Sequence, residues 1–481
     1  MLASLTFAPW FAHGLAVDIK DVPLPLGVFY IGAAAALVIS FVILLFGVRS
    51  AHFGTVSERR APGWLDRLSR ARASSIVLKA LALAWLITVV TTTMFGGLEG
   101  GENPGPNLVF VLGWLGLPVA ALVLGRGALE LHPVAALARA GGMRDNPAPG
   151  APGGDPGATA DRFGSSWGVW VAWAGLLLFT WLELVYPTST KVRFLGALIL
   201  LWTVVGLAIA STRGVRAYRE RLDPIGTYVR MLAALAPWER GADGTLRVRA
   251  PLLGANRDIA PTRGLVALVT LLIGSVSYDG LTRTTWWQER VALATADLTR
   301  SGVDAANGRM LFGTFAFVML ISVAWSAFEL AAWSAGRIGR LDVGRGPRRA
   351  AQLFAPSLLP IALAYVVAHY FSFLVVQCQD LIRLASDPFD HASNWFGTAN
   401  RLPRDLWRPS GTVVWFVQVG SIVIGHIAGL LLAHDRALEL APKHVDGRPD
   451  IGAATRSQLP MLALMVLYTV GGLYFLSEGL S

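Results

Sequence analysis

Runs of about 20 apolar residues recur along most of this 481-residue chain, and each is long enough to cross roughly 30 Å of hydrocarbon as a helix. Ten are expected as spans, at approximately 27–48, 76–95, 107–125, 167–186, 193–211, 264–279, 311–333, 356–383, 412–434 and 459–477. A backbone in lipid must satisfy its own hydrogen bonds, and the alternating pattern of a β-barrel is absent. The expected fold class is therefore all-α, a polytopic bundle of about ten transmembrane helices. The lipid bilayer is its first partner.

The net charge of +10 is carried mostly by arginine, and its placement argues for topology and against nucleic acid. Loop 49–75 holds six Arg against two acids, and loop 212–262 holds nine against five. Loop 335–353 holds five Arg against one Asp, and loop 126–166 adds four Arg. The alternate loops differ: 96–106 has two Glu and no base, and 384–411 balances three Arg with three Asp. This asymmetry predicts a bacterial cytoplasmic membrane with both termini on the outer side. The single cysteine, Cys378, excludes a disulfide framework within one chain. The opening "MLASLTFAPWFAHG" lacks a basic leader region and reads as an uncleaved outer segment.

Residues 1–140 make this outer segment and three spans, the Pro/Gly-rich stretch 141–166 is expected to be a disordered inner linker, and 167–481 form seven spans. The two span groups are expected to pack together as one bundle. Within the inner segment 212–262, "TYVRMLAALAPW" (227–238) sets Val229, Leu232, Leu235 and Ala236 on one face. That predicts an amphipathic helix lying at the inner interface with Trp238 as anchor. "TLRVRAPL" after it alternates as a short strand. Outer loops 280–310 and 384–411 are long enough to cap an outward-facing pocket.

Ionisable groups inside a membrane are costly and mark candidate sites. His369 lies mid-span in "AYVVAHYFSF", about 20 Å above the inner start of its helix at 1.5 Å per residue. Gln418 and His426 share the ninth span, about 24 and 12 Å above its inner end. These three are expected to converge if spans eight and nine are neighbours. His426 and His434 are eight residues apart, about 12 Å of rise, too far to share one metal from a straight helix. His434, with Asp435 and Arg436, is expected to mark the inner end and pair its own charges. Asp279 and Glu183 are expected as carboxylates of an outer vestibule. Ser421, Gly425, Gly429 and Ala433 form a small-residue ridge that admits another helix, a route to membrane-protein partners or a homo-oligomer.

Three chemical uses stay open for His369 and His426: ligands of a divalent metal or haem iron, a proton relay with Gln418 and the carboxylates, or general acid–base groups. Interhelical hydrogen bonding stands beside them. No HExxH, GxSxG, Walker A or GxGxxG pattern is present.

"DVPLPLGVFYIGAAAALVISF" (21–41), "NPGPNLVFVLGWLGLP" (103–118), "WLELVYP" (181–187), "DPIGTYVRMLAALAPWERGADGTLRVRAPLLG" (223–254), "GSVSYDGLTRTTWW" (274–287), "AHYFSFLVVQ" (368–377) and "VWFVQVGSIVIGHIAGLLLAHDRAL" (414–438) run in one order. In this the chain resembles the polytopic membrane proteins of the fenitrothion hydrolase family, over nearly its whole length. It departs at "LGRGALELHPV" (124–134), where an aromatic-rich pattern ending in Asn-Pro-Trp is expected. The resemblance implies hydrolysis of a hydrophobic phosphoester in the membrane and carries over no catalytic residue. The expected functions are thus a membrane hydrolase, a proton- or metal-coupled transporter or channel, or a haem- or metal-binding accessory subunit.

Overall fold

The computed structural model describes residues 26–47, 58–146, 167–187, 191–241, 243–344, 348–401 and 407–478. Every one of the ten apolar runs is helical there. Eight helices among the described residues are long and apolar enough to cross a membrane. They are α3 (Arg72–Phe95), α4 (Pro104–Ala140), α6 (Val192–Arg213), α9 (Leu265–Thr282), α11 (Ala305–Ile338), α12 (Arg349–Ser386), α13 (Gly411–Leu440) and α14 (Ile451–Phe475 within a helix that runs to Glu478). The remaining two runs are α1 (Leu26–Gly47) and α5 (Trp170–Leu184). This is a multi-pass all-α bundle. Short helices α2 (Gly63–Arg70), α7 (Pro224–Ala233), α8 (Leu253–Asp258) and α10 (Thr285–Arg300) join the spans.

The helices differ in how much of them the protein covers. The apolar stretch of α9 is 83% buried and that of α3 is 17% buried. α9 is thus the axis, and α3 turns most of its surface outward. α12 and α13 are close neighbours, as the antiparallel eighth and ninth spans were expected to be, and α9 packs against α5, α11 and α12. The two span groups meet where α3 and α4 pack on α6 and α12. The Pro/Gly-rich linker lies outside the described residues from 147 to 166.

Two spans are discontinuous. α4 begins at the Asn103 cap, whose side chain accepts from Gly105 N at 2.8 Å, and winds as a π-helix over Asn107–Leu115. A 3-10 turn over Gly125–Leu131 then interrupts it. α12 is broken by a buried 3-10 turn at Ala355–Leu358, with Pro356 inside it and Pro360 just after. Proline removes a donor and clashes with the preceding turn, which forces such breaks.

The ridge on α13 is used inside the chain. A Cβ on Gly425 would collide with the Ala364 side chain, and one on Gly429 would lie 2.7 Å from Ser357 O. Ala364 and Ser357 both belong to α12. The ridge expected to admit another helix thus admits α12 of the same chain at Gly425 and Gly429, because spans eight and nine take the close approach themselves.

The inner segment also departs from expectation. α7 is buried at Gly226–Val229 and Met231–Ala233, so it sinks into the bundle and does not lie on its surface. The helix ends at Ala233, so Leu235 and Ala236 of the expected stripe fall beyond it, and Tyr228 and Met231 are buried beside Val229 and Leu232. Trp238 falls in a strand. β2 (Trp238–Arg240) and β1 (Arg59–Arg60) both pair antiparallel with β3 (Leu246–Val248), which is the short strand read from the alternation.

Candidate functional site

Asp279 lies on α9, three positions before its last residue, and α12 brings His369 and Tyr370 to it. His369 Nε2 is 2.8 Å from Asp279 Oδ2, and the Tyr370 hydroxyl donates to the same oxygen at 2.8 Å. Adjacent residues on a helix diverge by about 100°. The two rings accordingly stand nearly perpendicular, 87° apart with centroids at 4.7 Å, and converge on one carboxylate between them. Arg283, one turn further along α9, places Nη2 at 3.7 Å from that oxygen, beyond a hydrogen bond but within ion-pair reach. Asp279, His369 and Tyr370 are 2%, 6% and 4% exposed, so the cluster is closed off from surrounding solvent or lipid.

Glu183, near the end of α5, is half-buried and lies within electrostatic reach of Asp279 and Tyr370. The structure thus gathers Asp279, His369 and Glu183, but not where the carboxylates were expected. His369 is seventeen residues before the end of α12, about 25 Å of helix. Asp279 bonds it, so Asp279 sits at mid-height and not in an outer vestibule. The reason is length. α9 has 18 residues and α5 has 15, while α11 has 34, about 51 Å, and runs on past their ends. The loop expected at 280–310 contains α10, which follows α9 after Arg283 and Thr284 and packs along α11.

Gln418 and His426 on α13 are both buried. His426 Nδ1 is 2.8 Å from Ile422 O, so Nδ1 carries the proton and Nε2 is left as a bare acceptor. Its ring faces Tyr365 with centroids 6.0 Å apart, one turn below His369 on α12. Among the described residues no group of three or more His, Cys, Asp or Glu gathers to hold a metal ion.

His434 was expected at the helix exit, but α13 continues to Leu440 and His434 is buried within it. Its Nδ1 lies 2.9 Å from Gln458 Oε1 on α14. Arg436 reaches Glu439 at 2.6 Å and also bonds Asn256 O on α8. These residues tie helices together, which the assumed span end at 434 concealed.

A second cluster escaped the sequence reading. His132 Nε2 is 2.9 Å from Asp223 Oδ2, with both side chains at most 3% exposed. The backbone N–H of Ala135 donates to His132 Nδ1 at 3.2 Å, which leaves the imidazole proton on Nε2, toward the carboxylate. Asp223 Oδ2 also accepts from Gly226 N at 2.7 Å, while Oδ1 takes Trp202 Nε1 at 2.8 Å and the Tyr218 hydroxyl at 2.9 Å. Burial alone would push the Asp223 carboxyl up. His132, the Gly226 amide and Trp202 together hold it below the usual carboxylate range. The signal was legible: "HP" at 132–133 and "DP" at 223–224 each place a capping side chain before a proline that opens a helix. Likewise Asp279 and Arg283 are an i, i+4 pair, and Tyr370 directly follows His369.

No family model, no curated protein and no solved structure matches this chain.

Proposed function

We propose that this protein is a proton-coupled membrane transporter whose proton-binding centre is the Asp279–His369–Tyr370 cluster. The observation that carries the reading is the 2.8 Å contact between His369 Nε2 and Asp279 Oδ2 at mid-height of the bundle. A buried carboxylate and imidazole in contact share one proton, and each proton taken up from or released to the outside changes the charge of the site by one. With His369 protonated, the pair is neutral overall and Arg283 is not needed. With His369 neutral, the negative charge of Asp279 draws Arg283 inward from its present 3.7 Å. Arg283 sits at the bend between α9 and α10, so proton binding is coupled to the set of the α10–α11 hairpin. Glu183 supplies a second carboxylate within electrostatic reach.

The test needs no knowledge of the cosubstrate. In proteoliposomes on a solid-supported membrane, a pH jump gives a transient current as protons enter a buried site. Asp279→Asn abolishes it and His369→Gln reduces it at least about tenfold, the effect of roughly 1.4 kcal/mol. A current unchanged in Asp279→Asn refutes the assignment.

The same pair favours one further reading, the phosphoester hydrolase that the fenitrothion hydrolase resemblance implies. An imidazole held by a carboxylate is the orienting half of a general base. Turnover of a chromogenic phosphotriester that is lost in His369→Gln, with no pH-jump current in the wild type, selects that alternative.

A further inference from the structure

α2 is amphipathic in the wrong sense for a helix in water. Trp64 and Leu68, one turn apart, are 63% and 55% exposed. Asp66, roughly opposite them on the helix at 100° per residue, faces the protein. Its Oδ1 accepts from Leu246 N in β3 at 2.7 Å, and Ser69 O accepts from Arg240 Nη2 at 3.0 Å. An amphipathic helix on a water-facing surface turns its apolar stripe to the core. Here the polar side docks on the three-stranded sheet and the apolar side points away.

What lies beyond that face is indicated by its neighbours. A single residue, Ala71, separates α2 from the membrane-crossing helix α3, and Ile76, Val77 and Leu81 on the first turns of α3 are also exposed. The Trp64 and Leu68 face therefore adjoins an apolar surface of a length that crosses a membrane. Arg59, Arg60, Arg67 and Arg72 are exposed around it, with no acidic side chain paired to any of them among the described residues. Apolar side chains flanked by arginine at the end of a span form the pattern that meets an anionic membrane surface.

We infer that α2 is a lipid-binding foot that seats Trp64 and Leu68 in the leaflet at the arginine-rich end of the bundle and engages anionic headgroups through Arg59, Arg60, Arg67 and Arg72. Because Asp66 and Ser69 hold the sheet, the foot also fixes β1–β3 against the membrane. The inference is independent of the proton cluster.

The experiment uses the full chain in nanodiscs, with Cys378→Ser as background and an environment-sensitive dye on Trp64→Cys. Ile87→Cys, 61% exposed within α3, gives the lipid reference, and Val445→Cys, fully exposed in the loop before α14, gives the water reference. Dye at position 64 is expected to emit near the Ile87 value and to resist iodide in nanodiscs of pure lipid. Emission and quenching that match Val445 overturn the inference, and burial seen only in native membranes assigns the face to a protein partner and overturns it too. In nanodiscs mixing phosphatidylglycerol with phosphatidylcholine, native mass spectrometry is expected to show preferential retention of the anionic lipid. That preference falls about fivefold for each arginine changed to glutamine. An unchanged preference in the fourfold variant removes the anionic headgroup from the assignment.

Discussion

The bundle holds two clusters made of the same three side chains, a carboxylate, an imidazole and a phenol. Asp223 with His132 and Tyr218 is closely held: Oδ1 takes two donors, Oδ2 takes the Gly226 amide of the α7 cap, and His132 Nε2 stands 2.9 Å from Oδ2. A carboxylate has about four acceptor positions, so little is left for chemistry. His132 is committed in the same way, with Nδ1 on a helix-capping amide. Asp279 with His369 and Tyr370 is built differently. Two side-chain donors, His369 and Tyr370, converge on one oxygen, and Arg283 stands off at 3.7 Å with Glu183 in electrostatic reach. The same residue types thus make a joint in one place and an adjustable site in the other. What distinguishes them is that a helix-capping amide holds the Asp223 carboxylate, while an arginine stands off from that of Asp279.

Substitutions can break this comparison. The largest expected effect is on folding. Asp223→Ala leaves His132, Tyr218, Trp202 and Gly226 N without their acceptor and is expected to cost about 3–5 kcal/mol, read as a lowered unfolding temperature in detergent. If Asp223→Ala folds as the wild type does, the cluster is no joint. Gly425→Leu comes next: it forces α13 from Ala364 on α12 and is expected to cost about 1–3 kcal/mol or more in the same measurement.

Tyr370→Phe should lower stability by about 1 kcal/mol and slow the pH-jump transient about tenfold, the loss of roughly 1.4 kcal/mol. The matched change Tyr218→Phe should lower stability by a similar amount, about 1 kcal/mol, without touching the transient. Equal effects of the two phenols on the transient would erase the distinction.

The acid limb sharpens it further. The folded carboxyl of Asp223 is held below its unfolded value, about 3.9. Its contribution is therefore fully present above that pH and is lost as pH falls through the lowered folded value. Asp223→Asn is expected to flatten this part of a stability–pH profile. The smallest effect is expected from Arg257→Gln on the surface, where Arg257 pairs with Glu58 and Glu239. Exposed pairs of this kind are worth about 0–1 kcal/mol.

The ten helical runs, the β3 strand and the adjacency of spans eight and nine were legible in the sequence because each follows from local composition and short connections. Apolar length alone makes a helix in a membrane, whatever it packs against. The residues of the site were half legible. His369, Asp279 and Glu183 could be picked out as costly groups in apolar runs, but their meeting could not. Sequence position places Asp279 at a span end. Only tertiary structure shows that α9 stops short, so that its end lies level with the middle of α12. The buried α7, the intrachain use of Gly425 and Gly429, and the joining of "HP" at 132 to "DP" at 223 were decided in the same way. Each depends on which helices become neighbours and at what height. That is set by summed packing over many weak contacts, which no single stretch of sequence encodes.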